Sequence, residues 1–244
     1  MQFRGFSPKA VEYLRDVRQN NSKIWYEEHR EDYKKYVRQP FLDMIEDLTP
    51  TVREIDPAVI TEPSKCISRI YRDSRFSKDK HLYRDSAWIV FRRPSSDYLE
   101  GPAFFAEIMQ SGVRYGMGAY DSSPKAMAGL RNFISDSPEL FYQTVTPIAE
   151  NGLSVIGEKY RRAQTGLSER AAELGLGSWF ELKNFFISSP VLPHEAFYSP
   201  DIVTEIAEKF GAMGPFYRLL WDIENYRSGD ELLPPKNTVA EFEW

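Results

Sequence analysis

Residues 103–120, AFFAEIMQSGVRYGMGAY, decide the fold. Two mainly apolar runs, Ala103–Met109 and Val113–Tyr120, flank a short segment that contains Ser111 and Gly112. Apolar runs separated by a glycine-containing turn are typical of a β-hairpin. The sequence therefore predicts two antiparallel strands joined by a tight turn.

Segments on either side of this hairpin extend the predicted sheet. Cys66–Tyr71 and Ala87–Arg92 are rich in β-branched and aromatic residues, which favour strands. A further short strand is expected near residues 182–188. The prediction is a central antiparallel sheet that occupies about residues 64–120.

Helices are predicted before and after this sheet. Serine followed by proline favours a helix start, because serine can cap the first free N–H groups and proline fits the first helical position. Such pairs mark predicted helix starts at Ser7, Ser123, Ser137 and Ser199, and Ser22 is predicted to cap a further helix.

Strands and helices in separate runs indicate an α+β fold rather than a parallel βαβ array. The chain of 244 residues is long enough for one substantial core, which is expected over residues 1–228 as a single domain. Two last helices are expected, from Pro200 to about Phe210 and from Pro215 to about Tyr226. Residues 229–244 are polar and contain proline, so a poorly ordered tail is expected there.

Composition and charge argue against broad affinity for nucleic acid or membranes and indicate where the protein is located. The net charge of −5 argues against bulk electrostatic affinity for nucleic acid or for an anionic membrane surface. No apolar run is long enough to suggest a membrane-spanning helix. Because Cys66 is the only cysteine and the first residues do not resemble a signal peptide, a cytoplasmic location is expected.

Neither a metal site nor a cofactor is predicted. A single cysteine excludes a cysteine-based metal cluster within one chain, and His29, His81 and His194 do not have the spacing of paired ligands. The glycines around residues 112–118 match neither G-x-G-x-x-G nor the P-loop spacing. A β-bulge or a close approach of two backbones explains glycines within a strand better.

Positive charge is concentrated in one short segment. From Lys65 to Arg84 there are seven Lys or Arg residues and two Asp residues, a local charge of +5 in a chain of net −5. Such a cluster repels itself unless carboxylates or an anionic ligand offset it. The segment is therefore the main candidate for a binding site.

An anion clamp can be built from this segment. In an extended chain alternate side chains share a face, so Arg69, Tyr71, Asp73 and Arg75 are expected on one side. Guanidinium groups bind phosphate and carboxylate in a bidentate way. The complete predicted ligand-binding set is Arg69, Tyr71, Arg72, Asp73, Arg75, Lys78, Lys80 and Arg114.

The pattern RIYRDxRFSKDKxxY in residues 69–83 also carries a family resemblance. Together with Asn20-Asn21 and Trp25 before it and residues 114–118 after it, this pattern resembles a widespread bacterial and fungal family of conserved hypothetical proteins built on a domain of unknown function. The resemblance extends from about Phe6 to about Leu220 and implies no activity. By position, Asn20 and Asn21 are turn or cap residues, and the resemblance implies that they line the same cleft as the basic segment.

Three interpretations of function remain open at this point. The leading one is binding of a small anionic ligand that bears phosphate or carboxylate. A nucleic-acid-binding module is an alternative, because Tyr71, Phe76 and Tyr83 alternate with basic residues, although the acidic total charge disfavours it. A structural or interaction protein, in which the segment is an internal salt-bridge network, is another. The sequence assigns neither a catalytic group nor an oligomeric state, since Tyr71, Asp73 and His81 are generic candidates.

Overall fold

The computed structural model of the protein describes residues 1–73, 75, 80–94, 101–118 and 123–223. Within these ranges, helices and a five-stranded antiparallel sheet form the predicted α+β fold. The predicted tail, residues 229–244, lies outside the described residues.

A helical layer precedes the sheet. Its elements are α1 (Pro8–Gln19), α2 (Lys23–Asp32), a π-helix (Tyr33–Arg38), α3 (Gln39–Ile55) and the single turn α4 (Pro63–Cys66). Ser22 caps α2 as predicted, because its Oγ accepts the Trp25 N–H at 3.3 Å. On α3, one face is buried at helical spacing and packs into the core, with Phe41, Met44, Ile45, Leu48 and Val52.

Five strands form the sheet in the order β1-β2-β3-β5-β4, with every neighbouring pair antiparallel. They are β1 (Ala87–Phe91), β2 (Ala103–Met109), β3 (Gly112–Gly118), β4 (Ser154–Ile156) and β5 (Phe186–Ser188). The predicted hairpin is formed by β2 and β3, and β5 confirms the strand expected near residues 182–188. The exposed strand β4 was not predicted, since three residues give too short an alternation to recognise.

The strand predicted at Cys66–Tyr71 is wrong in detail. Cys66 ends α4, and only isolated bridges follow, from Ile67 to Ile89 and from Tyr71 to Tyr83. The chain bends at Ile70, leaves the edge of β1 and pairs with residues 82–84 instead. Apolar content predicted an extended segment correctly, but it could not specify this change of partner.

Five more helices and a 3-10 helix lie after the hairpin in the described residues: α5 (Pro124–Asp136), α6 (Pro138–Glu150), α7 (Glu169–Glu173), α8 (Gly177–Phe180), the 3-10 helix His194–Phe197 and α9 (Ile202–Ile223). α9 replaces the two predicted last helices, because it continues through Pro215. A proline inside a helix removes one hydrogen bond, and here the buried side chains on both sides of it offset that loss. They include Phe210, Met213, Phe216 and Tyr217.

Helix starts after Ser7, Ser123 and Ser137 are confirmed, whereas α9 begins at Ile202, after the predicted start. The Ser123 side chain caps α5 by accepting the Ala126 N–H at 3.0 Å. Ser137 makes no such bond, because its N–H still bonds to the Phe133 carbonyl of α5 and its φ and ψ are −136° and 58°. A residue that ends one helix and begins the next does not adopt the extended conformation of an N-cap.

One face of the sheet packs against α3 and α9. Phe104 of β2 stacks on Tyr217 at 4.8 Å between ring centroids and lies 4.7 Å from Phe210. In β3, a Cβ on Gly116 would lie 1.9 Å from the Ile187 carbonyl oxygen, so only glycine permits this approach of β3 and β5. The predicted close approach of two backbones is thus confirmed at Gly116.

Candidate functional site

The predicted anion clamp lies on a two-stranded ribbon beside the sheet. We call this the basic ribbon, defined as residues 69–73 and 75 in its first strand and residues 80–84 in its second. The Arg72 N–H donates to the Leu82 carbonyl at 2.8 Å, and the Arg84 N–H donates to the Ile70 carbonyl at 2.8 Å. These bonds flank the Tyr71–Tyr83 pair, which places both rings on one face at 5.2 Å between centroids.

Asn21 fixes the second strand of the basic ribbon to the helical layer. Its Oδ1 accepts the N–H groups of Leu82 and Tyr83 at 2.6 and 3.0 Å. Its Nδ2 donates to the Tyr83 carbonyl at 2.9 Å and to the Val17 carbonyl of α1 at 3.0 Å. The side-chain carbonyl and both side-chain N–H groups are hydrogen-bonded, and these bonds join α1 to the ribbon.

Aromatic packing against α2 covers part of the face of the ribbon that carries Tyr71 and Tyr83. The Tyr26 ring stacks on Tyr83 at 4.5 Å and meets Tyr71 edge-on at 5.5 Å. Burial, followed by the nearby Tyr71, raises the pKa of Tyr26 to about 12, and burial raises the pKa of Tyr33 to about 12. These phenols therefore stay protonated near neutral pH, and their rings pack as a rigid support for the ribbon.

Exposure along the first strand follows the predicted alternation. Arg69, Tyr71, Asp73 and Arg75 are exposed, whereas Ile70 is buried. Arg72, between Tyr71 and Asp73, is half-buried. The Tyr71 ring is 55% exposed although Tyr26 and Tyr83 contact it. The ribbon thus presents two arginines, a tyrosine and an aspartate to solvent on the face that carries Tyr71, which we call its outer face although Tyr26 covers part of it.

Asp73 and Arg75 bind each other on this outer face. The Arg75 Nε and Nη2 donate to the two carboxylate oxygens at 3.0 and 2.7 Å, and the Arg75 backbone N–H donates to Oδ1 at 3.2 Å. The Arg75 guanidinium, followed by this backbone bond, lowers the pKa of Asp73 to about 2. One predicted arginine fork is therefore already engaged with a neighbouring carboxylate.

Arg69 differs from Arg75 in this respect. It is exposed, and no carboxylate among the described residues lies within ion-pair distance of it. Lys80 is exposed at the start of the second strand. Lys78, another member of the predicted set, lies outside the described residues.

Arg114 lies apart from the basic ribbon. It belongs to β3, separated from the ribbon edge of the sheet by β1 and β2. Its Nε donates to Glu107 at 2.9 Å, and its guanidinium lies 5.3 Å from the Phe186 ring centroid. The structure thus brings together the described members of the predicted set from the ribbon, but it engages Arg114 within the central sheet.

A buried ion pair connects α9 to the segment after β1, and sequence reasoning missed it. Asp56 is 3% exposed; its Oδ2 accepts from Arg93 Nε at 2.6 Å and from the Tyr217 hydroxyl at 2.7 Å. Burial alone would raise the pKa of Asp56, but the bonds from Arg93, Tyr217 and the Ala58 N–H outweigh it and hold the pKa below its usual value. No spacing signal marks partners this far apart in the chain.

Sequence reasoning also undervalued Asn21. Its position suggested only a turn or cap residue, and the family resemblance was the one signal that related it to the basic segment. In the described parts of the chain, no group of three or more His, Cys, Asp or Glu side chains is arranged to hold a metal ion. The described helices also lack the length and apolar character needed to cross a bilayer.

Comparison with protein families shows which family the chain matches. The model of the family DUF2461, described as a conserved hypothetical protein, matches residues 9–219, which include the basic ribbon, Asn21 and every described strand. Comparison with curated proteins finds no match. Since the match covers most of the chain, the protein belongs to the DUF2461 family of conserved hypothetical proteins.

Proposed function

We propose that the protein binds a small anionic ligand, bearing phosphate or carboxylate, on the outer face of the basic ribbon. The observation that carries this proposal is Arg69: an exposed guanidinium at the start of the basic ribbon, with no carboxylate partner among the described residues. Guanidinium forks favour planar or tetrahedral oxyanions, which they bind through two parallel hydrogen bonds.

Rigidity of the ribbon supports the proposal. A binding group held in place before the ligand arrives loses little conformational entropy on binding. The Asn21 hydrogen bonds and the Tyr26–Tyr83 stack hold the ribbon backbone in place. The side chains on its outer face therefore project from a fixed backbone. Tyr71 adds an exposed phenol that can donate a hydrogen bond to an oxyanion or pack against an apolar part of the ligand.

Asp73 weakens anion binding at Arg75 in the proposed site. Its carboxylate neutralises Arg75 and competes with any incoming anion for the same guanidinium. The proposed site therefore depends first on Arg69, and Arg75 takes part when the ligand displaces or bridges Asp73. A reducing, cytoplasmic setting belongs to the same proposal, because a single cysteine cannot form a disulfide within the chain.

A second candidate function is binding of single-stranded nucleic acid. The exposed ring of Tyr71 favours it, because a base can stack on an aromatic ring while cations contact the adjacent phosphates. The two candidates differ in salt dependence: nucleic-acid binding that neutralises several phosphates weakens steeply as salt rises, whereas a compact site for one ligand responds weakly.

Calorimetric titration with inorganic phosphate at constant ionic strength tests the proposal. We expect saturable binding to the native protein, weakened about tenfold or more in Arg69→Ala, since a charge-assisted hydrogen bond contributes roughly 1.5–3 kcal/mol. Asp73→Asn should strengthen phosphate binding, because it removes the carboxylate that competes for Arg75. The matched control is Arg162→Ala, an exposed arginine after β4, at the opposite edge of the sheet.

These variants separate the outcomes. Equal binding by Arg69→Ala and the native protein contradicts the proposed site. No phosphate binding together with a steep salt dependence for a single-stranded oligonucleotide favours the second candidate. If neither ligand binds, the ribbon is a structural element, as the third interpretation of the sequence holds.

A further inference from the structure

The strand β4 forms one edge of the sheet, opposite the edge near the basic ribbon. All three of its residues are exposed, including Val155 at 36% and Ile156 at 45%. In the described ranges, β5 is the single strand that pairs with β4. The outer side of β4 is therefore available to another strand.

Backbone alternation shows which residue of β4 directs its hydrogen-bonding groups outward. The Ser189 N–H donates to the Tyr115 carbonyl at 2.8 Å, so along β5 the groups of Ile187 face β3 and those of Phe186 and Ser188 face β4. Phe186 and Ser188 are in register with Ile156 and Ser154. Val155, between these two residues, consequently directs its N–H and C=O away from the sheet.

The three residues of β4 lack the features that usually prevent pairing between chains. Edge strands are commonly protected by charged side chains, prolines or bulges, or by a covering segment. Ser154, Val155 and Ile156 include neither charge nor proline, whereas the same edge continues beyond them to the charged residues Glu158 and Lys159, which pair with residues 182 and 183. The opposite edge is covered, because Ile67 bridges to Ile89 and the Ser68 N–H donates to the Trp88 carbonyl at 2.8 Å.

We propose that β4 pairs antiparallel with β4 of a second copy of this chain, about a two-fold axis at Val155. The axis places Val155 opposite itself, so that the two copies exchange two N–H···O=C bonds, and it places Ser154 opposite Ile156. The two sheets then form one continuous sheet across the dimer.

Charge complementarity favours a second copy as the partner. Exposed Glu150 precedes the strand and exposed Lys159 follows it. The neighbouring Glu158 carboxylate already pairs with Lys183 at 3.3 Å. Antiparallel pairing about Val155 brings the end of one strand that carries Lys159 beside the end of the other that carries Glu150, and it does so twice. A three-residue edge buries far less than the roughly 1,200–2,000 Å² of a stable interface, so the dimer is weak and forms at high protein concentration.

Sedimentation velocity of the full chain, from micromolar to millimolar concentration, tests this pairing. We expect a monomer–dimer equilibrium for the native protein. Val155→Lys and Val155→Glu should each abolish dimerisation, because each places like charges opposite one another at the axis. An equimolar mixture of the two variants should restore it, because Lys then faces Glu.

The control variant is Ile24→Lys, which removes an exposed apolar side chain from α2 and should dimerise like the native protein. Circular dichroism checks that the variants fold. If they do not, amide exchange of the native protein decides: the Val155 N–H should become protected as concentration rises. A monomer at every concentration, or a mixture of charge variants that stays monomeric, overturns the proposal.

Discussion

Two aspartate–arginine pairs of this molecule have nearly the same contact distance and opposite surroundings. In the basic ribbon, Arg75 and Asp73 meet at 2.7 Å with side chains 77% and 55% exposed. Beside α9, Arg93 and Asp56 meet at 2.6 Å with side chains 36% and 3% exposed. Water and salt weaken the exposed pair, whereas the buried carboxylate has no access to solvent if a partner is lost.

The comparison indicates what each region does. The buried pair joins three segments that are distant in sequence, so it belongs to the fold. The exposed pair joins residues two positions apart and leaves its outer side open to solvent. An ion pair that contributes little to folding can be rearranged by a ligand at small loss, which is why the ribbon, and not the buried pair, is the candidate site.

The largest effect is expected from Asp56→Ala. Removing the carboxylate leaves the half-buried Arg93 guanidinium, 4.4 Å from the Trp221 ring centroid, without its partner, and leaves the Tyr217 hydroxyl without its acceptor. Breaking a buried pair typically destabilises a protein by about 3–5 kcal/mol, and because the Arg93 side chain is 36% exposed we expect a loss toward the lower end of that range. Urea unfolding followed by circular dichroism measures the change, and a loss below about 1 kcal/mol would contradict the contrast between the pairs.

Asn21→Ala should have the next largest effect. It removes the partners of the Leu82 and Tyr83 N–H groups and of the Tyr83 carbonyl, so the free energy of unfolding should fall by about 2–4 kcal/mol. The same variant should weaken phosphate binding, because the ribbon loses its attachment to α1. Asn20→Ala is the control, since the Asn20 side chain bonds only within α1, to the Asp16 carbonyl.

Acid should distinguish the two aspartates by their burial. Both have lowered pKa values in the folded protein, so each contributes stability that is present above its unfolded pKa, near 3.8, and is lost as pH falls through the folded value. Exposure discounts the contribution of Asp73 strongly. Unfolding midpoints measured from pH 5 to pH 2 should decline less in Asp56→Asn than in the native protein, whereas Asp73→Asn should follow the native curve.

The smallest effect on stability is expected from Asp73→Asn at neutral pH. Because both partners are exposed, the urea midpoint should stay within error of the native value. The same variant is expected to bind phosphate more tightly. One substitution therefore measures both the small contribution of the exposed pair to stability and its competition with the ligand. A clear loss of stability would place the ribbon pair with the structural networks instead.

The sequence by itself determined the fold class, the β2–β3 hairpin, most helix starts and the one segment where cations concentrate. These features depend on local signals: periodicity of apolar residues, serine–proline starts and a glycine turn. The alternation that exposes Arg69 and Tyr71 while burying Ile70 could also be predicted, because it requires only an extended chain.

Tertiary structure alone decided the rest. Which strand residues 67–72 pair with, the attachment of Asn21 to residues 82 and 83, and the union of Asp56, Arg93 and Tyr217 all depend on contacts between segments far apart in the chain. Propensity and spacing carry no information about such contacts. Arg75 and Arg69 look equivalent in the sequence, and only the folded geometry engages one with Asp73 and leaves the other exposed without a described carboxylate partner.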